Sequence, residues 1–162
     1  MTLSTYNQFF GSVVFSNVEF YLTGKRGDEM TEVVAAIIRD EMGRILVCRR
    51  PMTKARGGMW EFVGGKVEAG ETGEDALIRE CKEELDISVE PKKVFCQVFH
   101  RYPDLYIRLT VYLTDIVDGI PQKLEHMELR WVYPQMLSDL DFCPADEEIL
   151  RLIASGCENG LL

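Results

Sequence analysis

Three carboxylates, Glu80, Glu83 and Glu84, share one face of any helix that spans them, because residues three and four apart are neighbours at about 100° per residue. Leu77, Cys81 and Leu85 form the adjacent apolar stripe, and Lys82 points away from the acidic face. Clustered like charges at this spacing repel and weaken a helix. A divalent cation removes that repulsion, and carboxylate oxygens suit Mg²⁺ or Mn²⁺. Upstream runs Gly64-Gly65-Lys66-Val67-Glu68-Ala69-Gly70-Glu71. The two glycines allow close backbone approach, Gly64 can offer a carbonyl to a metal, and Lys66 can meet a phosphate oxygen as a point charge. The plainer alternative is a solvated acidic helix face that follows a tight turn.

The elements that must position these residues follow from the apolar pattern. Val33–Ile38 reads as a buried strand, Arg44–Cys48 as a second, and Trp60–Val63 as a short strand running into the glycines. Thr72 to Glu84 reads as a helix, with Thr72 as N-cap and Asp75 three residues on, as in a capping box. Val94–Phe99 and Tyr106–Ile116 read as a strand pair, and Glu128–Val132 as a further strand. Pro144 to Ala154 reads as a closing amphipathic helix. The fold class is therefore α/β (α+β), a mixed sheet flanked by helices. Met30 looks like the start of the compact domain, 30–162. Residues 1–29 read either as a plain extension or translated upstream stretch, or as an added hairpin that covers a sheet edge or a partner subunit.

Composition narrows the function classes. The chain has 162 residues, 46% hydrophobic and 28% charged, enough for one soluble domain with its own core. With 18 Lys+Arg against 27 Asp+Glu the net charge is −9. That argues against a nucleic acid duplex or a membrane surface as partner, since both need a basic face. A small phosphorylated substrate remains open, because a metal can carry the positive charge. Five scattered cysteines with no CxxC pair, and only two histidines, disfavour a zinc site or disulfide framework and fit a reducing cytoplasm. No apolar run approaches a membrane span, and the N-terminus lacks the basic start of a signal peptide.

The segment from Gly64 to Ile87 resembles the Nudix box: glycine, five residues, Glu, seven residues, Arg-Glu, a bulky apolar residue, any residue, Glu-Glu, any residue, glycine, and a bulky apolar residue. Gly65, Glu71, Arg79, Glu80, Glu83, Glu84 and Ile87 match. Cys81 and Asp86 depart from the pattern, at the first bulky apolar position and the final glycine. Cysteine is a small hydrophobe, and Asp tolerates positive φ better than most residues, so neither change removes a carboxylate. The resemblance implies an α/β/α sandwich with a central mixed sheet, and hydrolysis of a nucleoside diphosphate linked to another group. It implies Glu80, Glu84 and Glu83 as metal ligands with the Gly64 carbonyl, and Arg79 and Glu71 as groups that orient them. Glu125, six residues before Trp131, would be a further ligand or base, with Glu128 as runner-up.

Several local strings are similar to the MutT-like branch, which takes nucleoside triphosphates to monophosphate and pyrophosphate. They are Arg49-Arg50, Trp60-Glu61-Phe62 and Phe142-Cys143-Pro144-Ala145-Asp146. In that branch the residue matching Arg50 contacts the nucleotide, the one matching Phe62 lines the base pocket, and the one matching Asp146 reads the base edge. The plainer alternatives are a solvated loop arginine, a core phenylalanine, and a helix N-terminal charge. An ionised Asp146 only accepts hydrogen bonds, which suits guanine N1–H with its amino group or the cytosine amino group. A protonated Asp146 can also donate. Thus 8-oxo-dGTP, CTP or (5-methyl-)dCTP, or another nucleoside diphosphate derivative, all remain open substrates. A monomer or homodimer is expected. A non-catalytic nucleotide sensor on the same fold is the alternative from another class, and it would tend to lose the box carboxylates that this chain keeps.

Overall fold

The computed structural model describes residues 13–14 and 30–158, with side chains over 30–156. Of the expected extension 1–29, only strand β1 (Val13–Val14) is described; the rest lies outside the described residues. Strand β2 (Met30–Ile38) carries the apolar run and is buried on both faces from Val34 to Ile38. It runs parallel to β7 (Tyr106–Asp118) and antiparallel to β5 (Gly64–Lys66). β7 also pairs antiparallel with β6 (Ser88–Arg101), and β6 with β1, giving a five-stranded mixed sheet in the order β1-β6-β7-β2-β5. β3 (Ile45–Arg49), β4 (Trp60–Glu61) and β8 (Glu128–Val132) form a separate three-stranded antiparallel sheet, β4-β3-β8. The strands therefore divide between two sheets, where the sequence pointed to one.

Period-two alternation along β2 sends its side chains to two different cores. Val34, Ala36 and Ile38 pack with Leu77, Cys81 and Leu85 of helix α1 (Gly73–Leu85). Ala35 and Ile37 pack with Leu109 and Val111 of β7 and with Ile149 and Ile153 of helix α2 (Glu147–Glu158). The helices thus cover opposite faces, and the architecture is the α/β/α sandwich expected. The apolar stripe of α1 is fully buried, each side chain contributing roughly 1.5–3 kcal/mol. No helix among the described residues is long and apolar enough to cross a membrane.

Both ends of α1 follow their local chemistry. Thr72 Oγ1 accepts from the Asp75 N–H at 3.1 Å, and it donates to Asp75 Oδ2 at 2.7 Å. At the other end Asp86 sits at φ 54°, ψ 36°, with its N–H on the Cys81 and Lys82 carbonyls, the left-handed cap a glycine would ordinarily supply. Several expected boundaries move, two of them at prolines. β6 begins at Ser88 and not Val94, because register shifts between Pro91 and Lys93 and between Val94 and Cys96 carry the proline through the strand. The closing helix begins at Glu147, since Pro144–Asp146 form a separate 3-10 turn.

Candidate active site

β5 and α1 bring the glycines against the acidic helix. A Cβ on Gly64 would stand 2.0 Å from the Val34 carbonyl oxygen, and one on Gly65 would stand 2.3 Å from Glu80 Oε1. Only glycine lets β5 pair with β2 here while the Glu80 carboxylate lies on its backbone.

Arg79 organises the carboxylates around it. Its Nε donates to Glu71 Oε1 at 2.7 Å and its Nη2 to Glu71 Oε2 at 3.1 Å, a fork on one carboxylate. Nη1 donates to Glu80 Oε1 at 2.8 Å and to Glu83 Oε2 at 3.1 Å, and Nη2 also reaches the Lys66 carbonyl at 3.0 Å. Arg79, helped by the Glu68 N–H, holds the Glu71 carboxyl below the usual carboxylate range.

Glu84 is the buried member of the acidic face, 8% exposed. Burial, opposed by His126 and reinforced by Glu61 and Glu80, pushes its carboxyl up to about 7. His126 Nε2 lies 3.3 Å from Glu61 Oε1 and 3.7 Å from Glu84 Oε2. Glu84 Oε2 and His126 Nδ1 are buried without a hydrogen-bond partner. The segment that carries Glu125 and His126 is tied down by backbone bonds. Gln122 N–H donates to the Leu85 carbonyl at 2.8 Å, Leu124 N–H to that of Glu84 at 3.3 Å, and Met127 N–H to that of Arg49 at 2.8 Å.

A cleft of about 340 Å³ opens over these groups. Gly64, Gly65, Lys66, Glu80, Glu84 and Glu125 line it, and so do Arg50, Phe62 and Asp146. Backbone bonds from Trp60 to Asp141 and from Cys143 to Trp60, each 2.8 Å, draw the Pro144–Asp146 turn to this cleft. Asp146 is 5% exposed, and burial pushes its carboxyl well above the usual range, with Glu61 adding and Arg50 opposing. Arg50 pairs with Glu61 and donates from Nε to the Ala55 carbonyl at 2.8 Å, so it is fixed and not a free loop residue. Phe62 is both core and cleft: it packs on Phe142 at 5.4 Å between ring centres and presents the rest to the cleft.

Glu71, Arg79 and Glu83 stand outside the cleft lining, and the Glu83 side chain is 55% exposed. Glu128, the runner-up to Glu125, pairs with Arg130 and Arg49 and is not among the residues lining the cleft. Sequence reasoning missed Glu61, Lys54, Arg56, Tyr102, Cys143 and His126 as cleft or near-cleft residues. The alternation at Trp60-Glu61-Phe62 was the one available signal for Glu61; the others depend on long-range folding. Burial pushes the Cys143 thiol up to about 12, so it lines the cleft as an apolar wall and not as a nucleophile.

The donor set suits a hard divalent cation: carboxylates, a glycine backbone, and a buried carboxylate oxygen with no hydrogen-bond partner. Among the described residues, no group of three or more His, Cys, Asp or Glu converges on one cation position. Glu80 and Glu83 are turned onto Arg79, and Glu125 onto Lys54.

This fold and cleft place the chain among known proteins. The NUDIX domain family model matches residues 33–152, and the chain belongs to that family. It is 36% identical over 123 residues to the CTP pyrophosphohydrolase of Escherichia coli (strain K12), covering 76% of this chain and 90% of that protein. It is 33% identical over 119 residues to the 8-oxo-dGTP diphosphatase of the same organism, covering 74% and 92%. The solution structure of the E. coli ORF135 protein superposes with a TM-score of 0.71 at 34% identity, over 82% of this chain and 94% of that one.

Proposed function

We propose that the chain is a Mg²⁺-dependent nucleoside triphosphate pyrophosphohydrolase, with Mn²⁺ as a substitute cation. It cleaves a (d)NTP such as 8-oxo-dGTP to the monophosphate and pyrophosphate, a reaction that would clear damaged nucleotides from the pool. The observation that carries this reading is that one cleft holds both halves of the chemistry. Glu80, Glu84, Glu125 and the Gly64 backbone serve the phosphate chain, and Asp146, Phe62 and Arg50 serve the nucleoside. Mg²⁺ held there would supply positive charge for the phosphate chain and activation of the attacking water.

The chain's own residues do the positioning. Glu80 and Glu84 would hold the cation, Glu83 would do so directly or through water, and Glu125 would be a further ligand or the base that takes the water's proton. Arg79, its planar fork seated on Glu71, holds Glu80 in place with one hydrogen bond from Nη1. Lys66 meets a phosphate oxygen. Phe62 lies against the base, and Asp146, whose carboxyl is pushed above the usual range by burial, meets the base edge as a hydrogen-bonding group. A CTP or (5-methyl-)dCTP pyrophosphohydrolase is the second reading, favoured by the 36% identity to the E. coli enzyme and by Asp146 as acceptor for the cytosine amino group. The test is a panel of 8-oxo-dGTP, dGTP, CTP and dCTP with Mg²⁺, with products separated by chromatography. Monophosphate plus pyrophosphate supports the reading; orthophosphate plus diphosphate, or no turnover of any nucleotide, overturns it.

A further inference from the structure

Lys54 lies in the loop between β3 and β4, and Glu125 in the segment between β7 and β8. Their side chains meet, Lys54 Nζ donating to Glu125 Oε2 at 2.7 Å, and each is 47% exposed. Both line the cleft with Glu80, Glu84 and Lys66. We propose that Lys54 is a parked phosphate ligand: it neutralises Glu125 while no cation is bound, and it moves onto the nucleotide's phosphate chain once a divalent cation takes Glu125. The inference rests on the proposed function, which makes Glu125 a cation ligand.

The cleft's other cations are committed or different in kind. Arg50 is held by Glu61 and the Ala55 carbonyl. Arg56 lies 3.7 Å over the Tyr102 ring and pairs with Asp104. That leaves Lys54 and Lys66 as ammonium groups on long flexible stems, able to follow a phosphate chain. Lys54 also feels Glu84: its pKa is raised by the Glu125 hydrogen bond first, and the Glu84 charge adds to it. It therefore stands beside the carboxylates where cation and phosphates must assemble. A divalent cation on Glu125 repels the ammonium and offsets the carboxylate charge that holds it, so cation binding weakens the Lys54–Glu125 contact just as phosphate charge arrives.

The two roles give opposite signs in one variant, Lys54→Met. Calorimetric titration with Mn²⁺ alone should show about two- to fivefold tighter binding than wild type, the range for an exposed ion pair that stops competing. With Mg²⁺ present, α,β-methylene dGTP and α,β-methylene dCTP should both bind about tenfold more weakly, and equally so, as expected for a lost charged contact to phosphate. In a Glu125→Gln background the Mn²⁺ gain should vanish. Unchanged or weaker Mn²⁺ binding by Lys54→Met overturns the parking, and unequal losses for the two analogues overturn the phosphate role. If wild type binds no Mn²⁺, or Glu84→Gln binds it equally well, the reading of the site falls and this inference with it.

Discussion

The Glu80 carboxylate rests on the backbone of Gly65, where a Cβ would stand 2.3 Å from its Oε1. The obstructing atoms are the end of a flexible side chain, so Gly65→Ala need not break the fold. It should instead push Glu80 out of the place where Arg79 holds it. The expected result is a Tm within about 3 °C of wild type, with kcat lower by about 10- to 100-fold. Thermal melts and steady-state kinetics on the same preparation check both halves; unchanged kcat would separate Glu80's position from turnover.

Glu84 makes stability depend on pH in a definite direction. Its folded carboxyl is raised to about 7 by burial, while an unfolded glutamate titrates near its ordinary value. Between those two values the folded state binds more protons, so stability falls as pH rises through the window. Without divalent cation, Glu84→Gln removes the buried charge and should be more stable than wild type at about pH 8, by on the order of 1–3 kcal/mol, with little difference at about pH 4. Denaturant unfolding in chelator at both pH values is the measurement, and a gap that does not grow with pH would contradict the burial account. Mg²⁺ should narrow the gap, by binding the folded wild type alone.

The α1 segment was legible because spacing there is local. Thr72, the Leu77-Cys81-Leu85 stripe and the Asp86 cap follow from positions a few residues apart. The carboxylates of the box were legible as a set but not in their separate states. Glu84 is buried beside His126, while Glu83 is half in solvent on Arg79, and the difference comes from the 119–127 segment folding over the end of α1. The same is true of Lys54 and Glu125, 71 residues apart in sequence. Pro91 hid the start of β6, because a bulge accommodates it. Asp146 was legible as a candidate site residue, but its burial was not, since that depends on β4 pairing with the Asp141–Cys143 segment.

Asp146 should set how substrate preference changes with pH. Its carboxyl, pushed up by burial, loses its donor as pH rises through its raised pKa, whereas an asparagine keeps donor and acceptor throughout. The ranking of kcat/KM among 8-oxo-dGTP, dGTP, CTP and dCTP should therefore change between an acidic and an alkaline pH in wild type and stay fixed in Asp146→Asn. Purines and pyrimidines should be affected unequally, with differences of about 1–3 kcal/mol. A ratio between the two proteins that is constant over all four nucleotides and both pH values would reduce Asp146 to a structural residue.

The buried carboxylate of Glu84, with Oε2 making no hydrogen bond, is the group on which the proposed chemistry most depends. Turnover of nucleoside triphosphate by wild type and by Glu84→Gln, at saturating Mg²⁺, tests that dependence most directly. The account predicts monophosphate and pyrophosphate from wild type, and a kcat lower by about three orders of magnitude in a folded Glu84→Gln. Near wild-type turnover in Glu84→Gln would contradict it.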